Sequence, residues 1–362
     1  MTLTTPDRTD ALAERLLGAT HGALELFSIY LGAELGLYHA LTPHGPLTYG
    51  ELADRAGIAP RYAQEWLEQQ AVAGLLDVEH PDDAADARRY GLAPDHARVL
   101  VDPDHPAHVA PFAHMLAGIG GVLPRVADAY RSGDGVPYAA YGRAFRHGQG
   151  HINRPAFTHE LPSDWLAAMP DVVARLESAQ HARVADLGCG QGFSTLAIAG
   201  AFLNAWVDGL DVDGASIADA RRHATQTGLD GRVRFLDGDA GELAAHGPYD
   251  LILVLEALHD MADPDAALAA ARAALVPGGT VLVVDERVAD SFTAPGDEVE
   301  RMMYGWSVTH CLPTQLAEQP SAALGTVMRA STVRNLAADA GYASVEVLDV
   351  DNDFFRLYRL DP

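Results

Sequence analysis

Residues 183–202 read RVADLGCGQGFSTLAIAGAF, and this stretch decides the fold. The run from Arg183 to Leu187 has the apolar character of a buried strand. Gly188, Gly190 and Gly192 follow it without a spacer, and the segment from Phe193 has the composition of a helix. A strand, a glycine turn and a helix in that order form the ligand-binding corner of a parallel sheet covered by helices. Glycine lets the backbone approach a ligand closely, and a helix N-terminus favours negative charge. A dinucleotide site prefers G-x-G-x-x-G, and Phe193 stands where its last glycine would fall.

Working outward, each following strand ends in an acid. Asp186 stands just before the glycines, with only Leu187 between, where a carboxylate would repel a pyrophosphate and suit an ammonium group. WVDGLD (206–211) ends in Asp211, placed to take two ribose hydroxyls. RVRFLDGDA (232–240) ends in Asp239 and Ala240, suited to an adenine amino group and its ring face. Glu256, in LILVLEAL (251–258), joins this cofactor-facing set. Glycine turn and successive acids describe a site for a cationic amino-acid nucleoside, which S-adenosylmethionine is and NAD is not.

DLGCGQG (186–192), GLD (209–211) and GDAGE (238–242) resemble motifs one to three of the class I methyltransferases, and LVPGGTVLVVDE (275–286) resembles their fifth strand. The resemblance covers about 183–359. It implies a seven-stranded Rossmann-like sheet whose antiparallel edge hairpin would come from ASVEVLDVDNDFFRLYRL (343–360). It also implies S-adenosylmethionine as cofactor, with Asp186, Gly188, Gly190 and Gly192 around the methionine part, Asp211 on the ribose and Asp239 at the adenine.

LHDM (258–261) resembles the LHDW element of small-molecule O-methyltransferases of the plant caffeate and bacterial natural-product types, with Met261 in place of the usual tryptophan. That resemblance implies His259 as the general base. A histidine at a strand's C-terminal end lies where open α/β sheets bind ligands, with a pKa suited to proton transfer near neutrality. Asp260 and Glu286 are the carboxylates considered for orienting it. In MMYGWSVTHCLPTQLAEQPSAALGTVMR (302–329), Met302, Met303, Trp306 and His310 are expected to line the acceptor pocket. Some α-keto-acid C-methyltransferases of similar architecture hold a ferric ion between two histidines, so an iron site on His259 and His310 is an alternative.

The front half reads differently. LTYGELADRAGIAPRYAQEWLEQQAVAGLLDV (47–78) has a capping box on Thr48 and Glu51, a break at Gly57 and a helix start at Pro60. The segment after it (75–101) has two short strand-like runs about a polar turn. The outline is a winged helix, and in the resembling enzymes such a domain builds a homodimer. A winged-helix regulator that senses S-adenosylmethionine and reads DNA is the alternative from another class. Against it, the second helix offers Arg61, Gln64, Glu65, Glu68 and Gln69, not the cation cluster that a phosphate backbone requires. The expected division is a winged-helix-like domain over 1–105, a helical connector and lid over 106–180, and the catalytic domain over 181–362. Within the connector, GDGVPYAAYGRAF and GHINRPAF read as loops, and a helix is expected over Ser163–Glu177.

The formal charge is −25, and every cationic chain is arginine because the sequence has no lysine. Lysine Schiff-base chemistry is thereby excluded. Two cysteines, Cys189 and Cys311, offer no disulfide framework. A polar N-terminus without a signal pattern and the lack of a membrane-length apolar run point to a cytoplasmic protein with a small-molecule acceptor and neither nucleic-acid nor membrane partners.

Overall fold

The computed structural model describes residues 7–42, 45–178 and 181–362. It divides into two compact units, Met1–Gly118 with Arg143–Pro155, and Ile119–Gly142 with Ala156–Pro362. The expected connector, 106–180, is thus shared between the two.

In the first unit a long helix, Arg8–Glu34, and a short one, Leu37–Leu41, precede the helix-turn-helix pair Tyr49–Ala56 and Pro60–Val72. The pair forms for the reasons the sequence suggests. Thr48 Oγ1 accepts from the Glu51 amide and the Glu51 carboxylate accepts from the Thr48 amide, Gly57 ends the helix with φ 66°, and Pro60 opens the next. Strands β1 (Asp77–Glu79) and β2 (Arg89–Gly91) make the antiparallel wing. Leu37, Tyr38, Leu52, Trp66, Leu67 and Tyr90 form its core. On the second helix of the pair Arg61 is neutralised by Glu65, and Gln64 donates to Glu68, so its surface offers no uncompensated cation there.

The second unit is built on seven strands: β3 (Ala182–Leu187), β4 (Ala205–Asp211), β5 (Val233–Asp237), β6 (Tyr249–Leu255), β7 (Leu275–Glu286), β8 (Ser344–Val347) and β9 (Phe355–Asp361). Their order is β5-β4-β3-β6-β7-β9-β8. The first five pair in parallel, and β9 and β8 add the antiparallel edge. Side chains alternate across a strand. Val184, Leu251, Leu253 and Val284 therefore pack on one face with Trp165, Leu176 and Ile198. Ala185, Ile252, Val254 and Val283 pack on the other with Leu268, Val333 and Leu336. With both faces covered, the central strands are mostly apolar, and Asp208 inside β4 is buried against Arg183, Arg234 and Tyr249.

Two connector expectations are corrected. GRAFRHGQGHINRPAFTHE, expected to be irregular, is one helix, Gly142–Glu160. Its glycine marks a close approach instead of a break: a Cβ at Gly148 would come 2.7 Å from the Pro111 carbonyl oxygen and 2.7 Å from the Met115 side chain. Packing overrides local propensity there. Conversely, Ser163–Glu177 is not one helix. A π-turn (Leu161–Trp165) and a 3-10 turn (Leu166–Ala168) lead to Met169 at φ −123°, ψ 69°, and a new helix starts at Pro170. A residue before proline is pushed out of the helical region, which fixes the break at Met169.

Candidate active site

The glycine turn sits where β3 meets the helix Phe193–Ala201, and its three glycines have φ of 77°, 51° and 80°. These are left-handed values that other residues adopt at a cost. The three are not equivalent. A Cβ on Gly188 would lie 2.5 Å from the Ala257 side chain, and one on Gly192 would lie 2.6 Å from the Phe235 ring. Gly190 meets nothing within 4 Å, so its bare backbone borders open space. The contact at Gly188 also sets the turn directly against Ala257, two residues before His259.

Asp211, at the tip of β4, supports this cradle. Its Oδ2 accepts from the Gly190 amide at 2.7 Å and its Oδ1 from the Asp213 amide at 2.8 Å. Burial lifts its pKa to about 6, against the opposing pull of those two amides. A carboxylate that must accept ribose hydroxyls has to be ionised. Nucleoside affinity is therefore expected to be flat above pH 7 and to fall as pH drops through about 6, which titration calorimetry at pH 5, 6 and 7.5 checks.

Asp186 lies elsewhere than the sequence placed it. It is 1% exposed, and its Oδ2 accepts from the Ser194 and Thr195 hydroxyls, both at 2.6 Å. The carboxylate fastens the strand to the helix behind the turn, so direct contact with an ammonium group gives way to a supporting role. Asp239 is exposed and caps a 3-10 turn by accepting from the Gly241 amide at 2.7 Å, with Ala240 buried beside it. Glu256, directly after β6, has φ 50°, and its amide donates to Val284 at 2.8 Å. A non-glycine residue held left-handed at a strand tip is the kind of strain that accompanies functional sites.

An S-adenosyl nucleoside fits this corner. Gly190 leaves the room that a Cβ would fill, and Asp211 and Asp239 supply acceptors at neighbouring strand tips. Acidic groups around the turn match a sulfonium charge.

His259 lies in the turn Leu258–Asp260 after β6 and is 4% exposed. Its Nδ1 is 2.9 and 3.1 Å from the two oxygens of Asp285, which is 1% exposed. A carboxylate only accepts, so Nδ1 carries a proton and Nε2 is the nitrogen that exchanges one. Glu286 lies 3.7 Å from Nδ1 and Asp260 lies 3.5 Å from Nε2. Burial disfavours the imidazolium, but Asp285, Asp260 and Glu286 outweigh it and hold the His259 pKa well above the ordinary value. Burial also raises the Glu286 carboxyl. Gln315 fixes the loop, donating to the His259 carbonyl while its own oxygen accepts from the Gly325 amide at 2.8 Å.

His310 follows the helix Glu298–Trp306, on a π-turn, Ser307–Cys311. It is 2% exposed, and the edges of Tyr138 and Tyr141 meet its ring at centroid distances of 5.8 and 4.6 Å. Burial holds its pKa down to about 4, so it is neutral at physiological pH. Of the residues expected beside it, Met303 is buried, Trp306 is half-buried and Met302 is 42% exposed and turned outward.

Among the described residues, two groups bring three potential metal ligands together: His259 with Asp260 and Cys311, and His259 with Asp285 and Glu286. His310 is in neither, although its Nδ1 lies 3.5 Å from Cys311 Sγ, so no such group joins His259 and His310 as the iron alternative requires.

Sequence reasoning missed Asp285, and the signal for it was present. Asp285 and Glu286 are adjacent in a strand and point to opposite faces, so only one of them can present its carboxylate squarely to His259. It also missed Gln315 and Cys311, whose positions depend on a π-turn that no periodicity announces.

With this geometry in hand, the class is plain. Residues 178–330 match the family model for a methyltransferase domain, and residues 22–102 match that for an Rv2258c-like winged helix-turn-helix domain. Each match covers less than half of the chain, and with the sheet order they describe a winged-helix domain followed by a Rossmann-like domain similar to methyltransferases. Curated relatives include a ubiquinone biosynthesis O-methyltransferase of Cereibacter sphaeroides, 39% identical over 28% of this chain and 40% of that protein. A trans-aconitate 2-methyltransferase of Streptomyces avermitilis is 33% identical over 38% of this chain and 49% of that one. The chain thus spans less than half the length of these relatives. Over nearly its whole length it shares the fold of the mitomycin 7-O-methyltransferase MmcR, with TM-score 0.70, 20% identity and 98% of each chain covered. The same holds for human N-acetylserotonin methyltransferase in complex with SAM, with TM-score 0.69, 18% identity and 99% of each chain covered. Among the described residues no helix is long and apolar enough to cross a membrane.

Proposed function

We propose that this chain transfers a methyl group from S-adenosylmethionine to a hydroxyl oxygen of a small, partly aromatic acceptor of natural-product type, with His259 as general base. The observation that carries this reading is the buried His259–Asp285 pair, two residues beyond the Ala257 that packs on the glycine turn.

When bound, the cofactor supplies an activated methyl group on a positively charged sulfur. Gly188, Gly190 and Gly192 would pass its methionine part, Asp211 would hold the ribose and Asp239 with Ala240 the adenine. Glu256 adds negative charge at the neighbouring tip. What remains for the protein is to align the nucleophile, exclude water and remove one proton. His259 Nε2 takes the hydroxyl proton, and Asp285 steadies the resulting imidazolium through Nδ1. A positive charge brought beside the imidazole opposes its protonation, so the carboxylates that raise its pKa are partly offset once the site is filled. His310 and Met303 supply neutral and apolar walls.

The assay is incubation with methyl-labelled S-adenosylmethionine and a panel of phenolic and enolic acceptors. Label recovered as a methyl ether supports the reading. Label recovered only on carbon or nitrogen, or none across the panel, overturns it.

A homodimer belongs to the same proposal. On the first helix Leu12, Leu16, Leu24, Phe27 and Leu31, with Leu35 at its C-cap, recur every three or four residues or a multiple of that, and all are exposed, from 43% at Phe27 to 61% at Leu24. Exposed large apolar side chains along one helix support an interaction surface. The Leu24→Glu, Leu31→Glu double variant is expected to elute as a monomer where the parent is a dimer by light scattering. A monomeric parent would refute the dimer.

A further inference from the structure

Cys311 has no part in the proton transfer, yet its sulfur stands at the reacting end of the base. A ring nitrogen of His259, an Asp260 carboxylate oxygen and Cys311 Sγ lie within 4.8 Å of one another, and Nδ1 is already taken by Asp285. The separation between Nε2 and Asp260 Oδ1 is 3.5 Å. That Oδ1 atom is buried and accepts no hydrogen bond. Imidazole nitrogen, carboxylate oxygen and thiolate sulfur are the donors that zinc takes, and three protein ligands leave one position open.

The surroundings are those of a metal-binding histidine. Such a histidine normally gives its other ring N–H to a carboxylate, which fixes the ring and makes the free nitrogen more basic. Asp285 does this at 2.9 Å. The backbone is fixed from the other side by Gln315, whose amide donates to the His259 carbonyl. Cys311 itself closes the π-turn Ser307–Cys311 and is 5% exposed.

We propose that His259, Asp260 and Cys311 form a binding site for one zinc-class divalent cation, and that occupancy of this site reversibly shuts off the base. Zinc displaces the proton from Nε2 and the proton from Sγ, so uptake releases about two protons per ion. Bonds from zinc to nitrogen, sulfur and one Asp260 oxygen form, no oxidation state changes, and Nε2 has no lone pair left for an acceptor's proton. Inhibition rests on the general-base reading of His259; metal uptake does not.

The test uses the full chain stripped with a chelator and titrated with zinc chloride, then separately with cobalt(II) chloride. Expected are one tight zinc per chain, release of about two protons on binding, and a near-ultraviolet sulfur-to-cobalt charge-transfer band. Cys311→Ala should abolish that band and weaken the tight zinc at least about tenfold, the loss of roughly one good ligand. Binding of S-adenosylhomocysteine by the same variant, measured by calorimetry, shows that it is folded. No stoichiometric zinc in the parent, or the same uptake and the same band in Cys311→Ala, overturns the site. Zinc uptake that depends on Cys311 but leaves methyl transfer unaffected retains the metal site, overturns its inhibitory role and counts against His259 as the base.

Discussion

His259→Ala is expected to bind S-adenosylhomocysteine within about twofold of the parent and to turn over about 10²- to 10⁴-fold more slowly. The split follows from where the side chain lies. The cradle around Gly190 is held by Asp211 at the tip of β4, whereas the imidazole, with Asp285 on its Nδ1, is the group proposed to take the acceptor's proton. A mutation that removes an interaction made only in the transition state lowers kcat and kcat/KM together. Single-turnover methyl transfer with a phenolic acceptor reads this directly. Turnover equal to the parent's would remove His259 from the chemistry.

Asp285→Asn has a different signature. The carboxylate at 2.9 Å both selects the tautomer and raises the imidazole pKa, together with Asp260 and Glu286 and against burial. The base must be neutral at Nε2 to act, so kcat/KM in the parent should rise with pH, with its acid limb above the ordinary histidine value of about 6.5. Removing the nearest carboxylate weakens the preference for imidazolium and should move that limb to lower pH. Turnover on the plateau should fall by ~10²-fold or more, because the amide also accommodates the wrong tautomer. Asp285→Glu should restore part of the rate and return the limb upward. A variant that is slow while its limb stays put would make Asp285 a packing residue.

Much of this was legible in the chain. Thr48 with Glu51, Gly57 and Pro60 specify a helix-turn-helix through local rules alone, and the structure obeys each of them. The sheet was legible for a different reason. Strands covered on both faces are mostly apolar, so acids at their tips stand out, and Asp211, Asp239 and Glu256 were chosen on that ground. Asp186 shows the limit of that logic. Position at a tip does not say which way the carboxylate turns, and Ser194 and Thr195, in the first turn of the following helix, captured it. The connector escaped because Gly148 and Pro155 look like breaks until the surface they pack against is known. His259 was readable from a short motif, whereas its partner required knowing that β6 and β7 lie side by side, a pairing between distant segments.

The central claim is that acids at the strand tips hold a cationic sulfur nucleoside against bare glycine backbone. Calorimetric titration of the parent and of Asp211→Ala with S-adenosylhomocysteine at pH 7.5 tests it most directly. The account requires one saturable site per parent chain and an affinity at least about tenfold weaker in the variant, as the loss of charge-assisted hydrogen bonds of roughly 1.5–3 kcal/mol demands. Equal affinity in the two proteins, or no uptake by the parent, would contradict it.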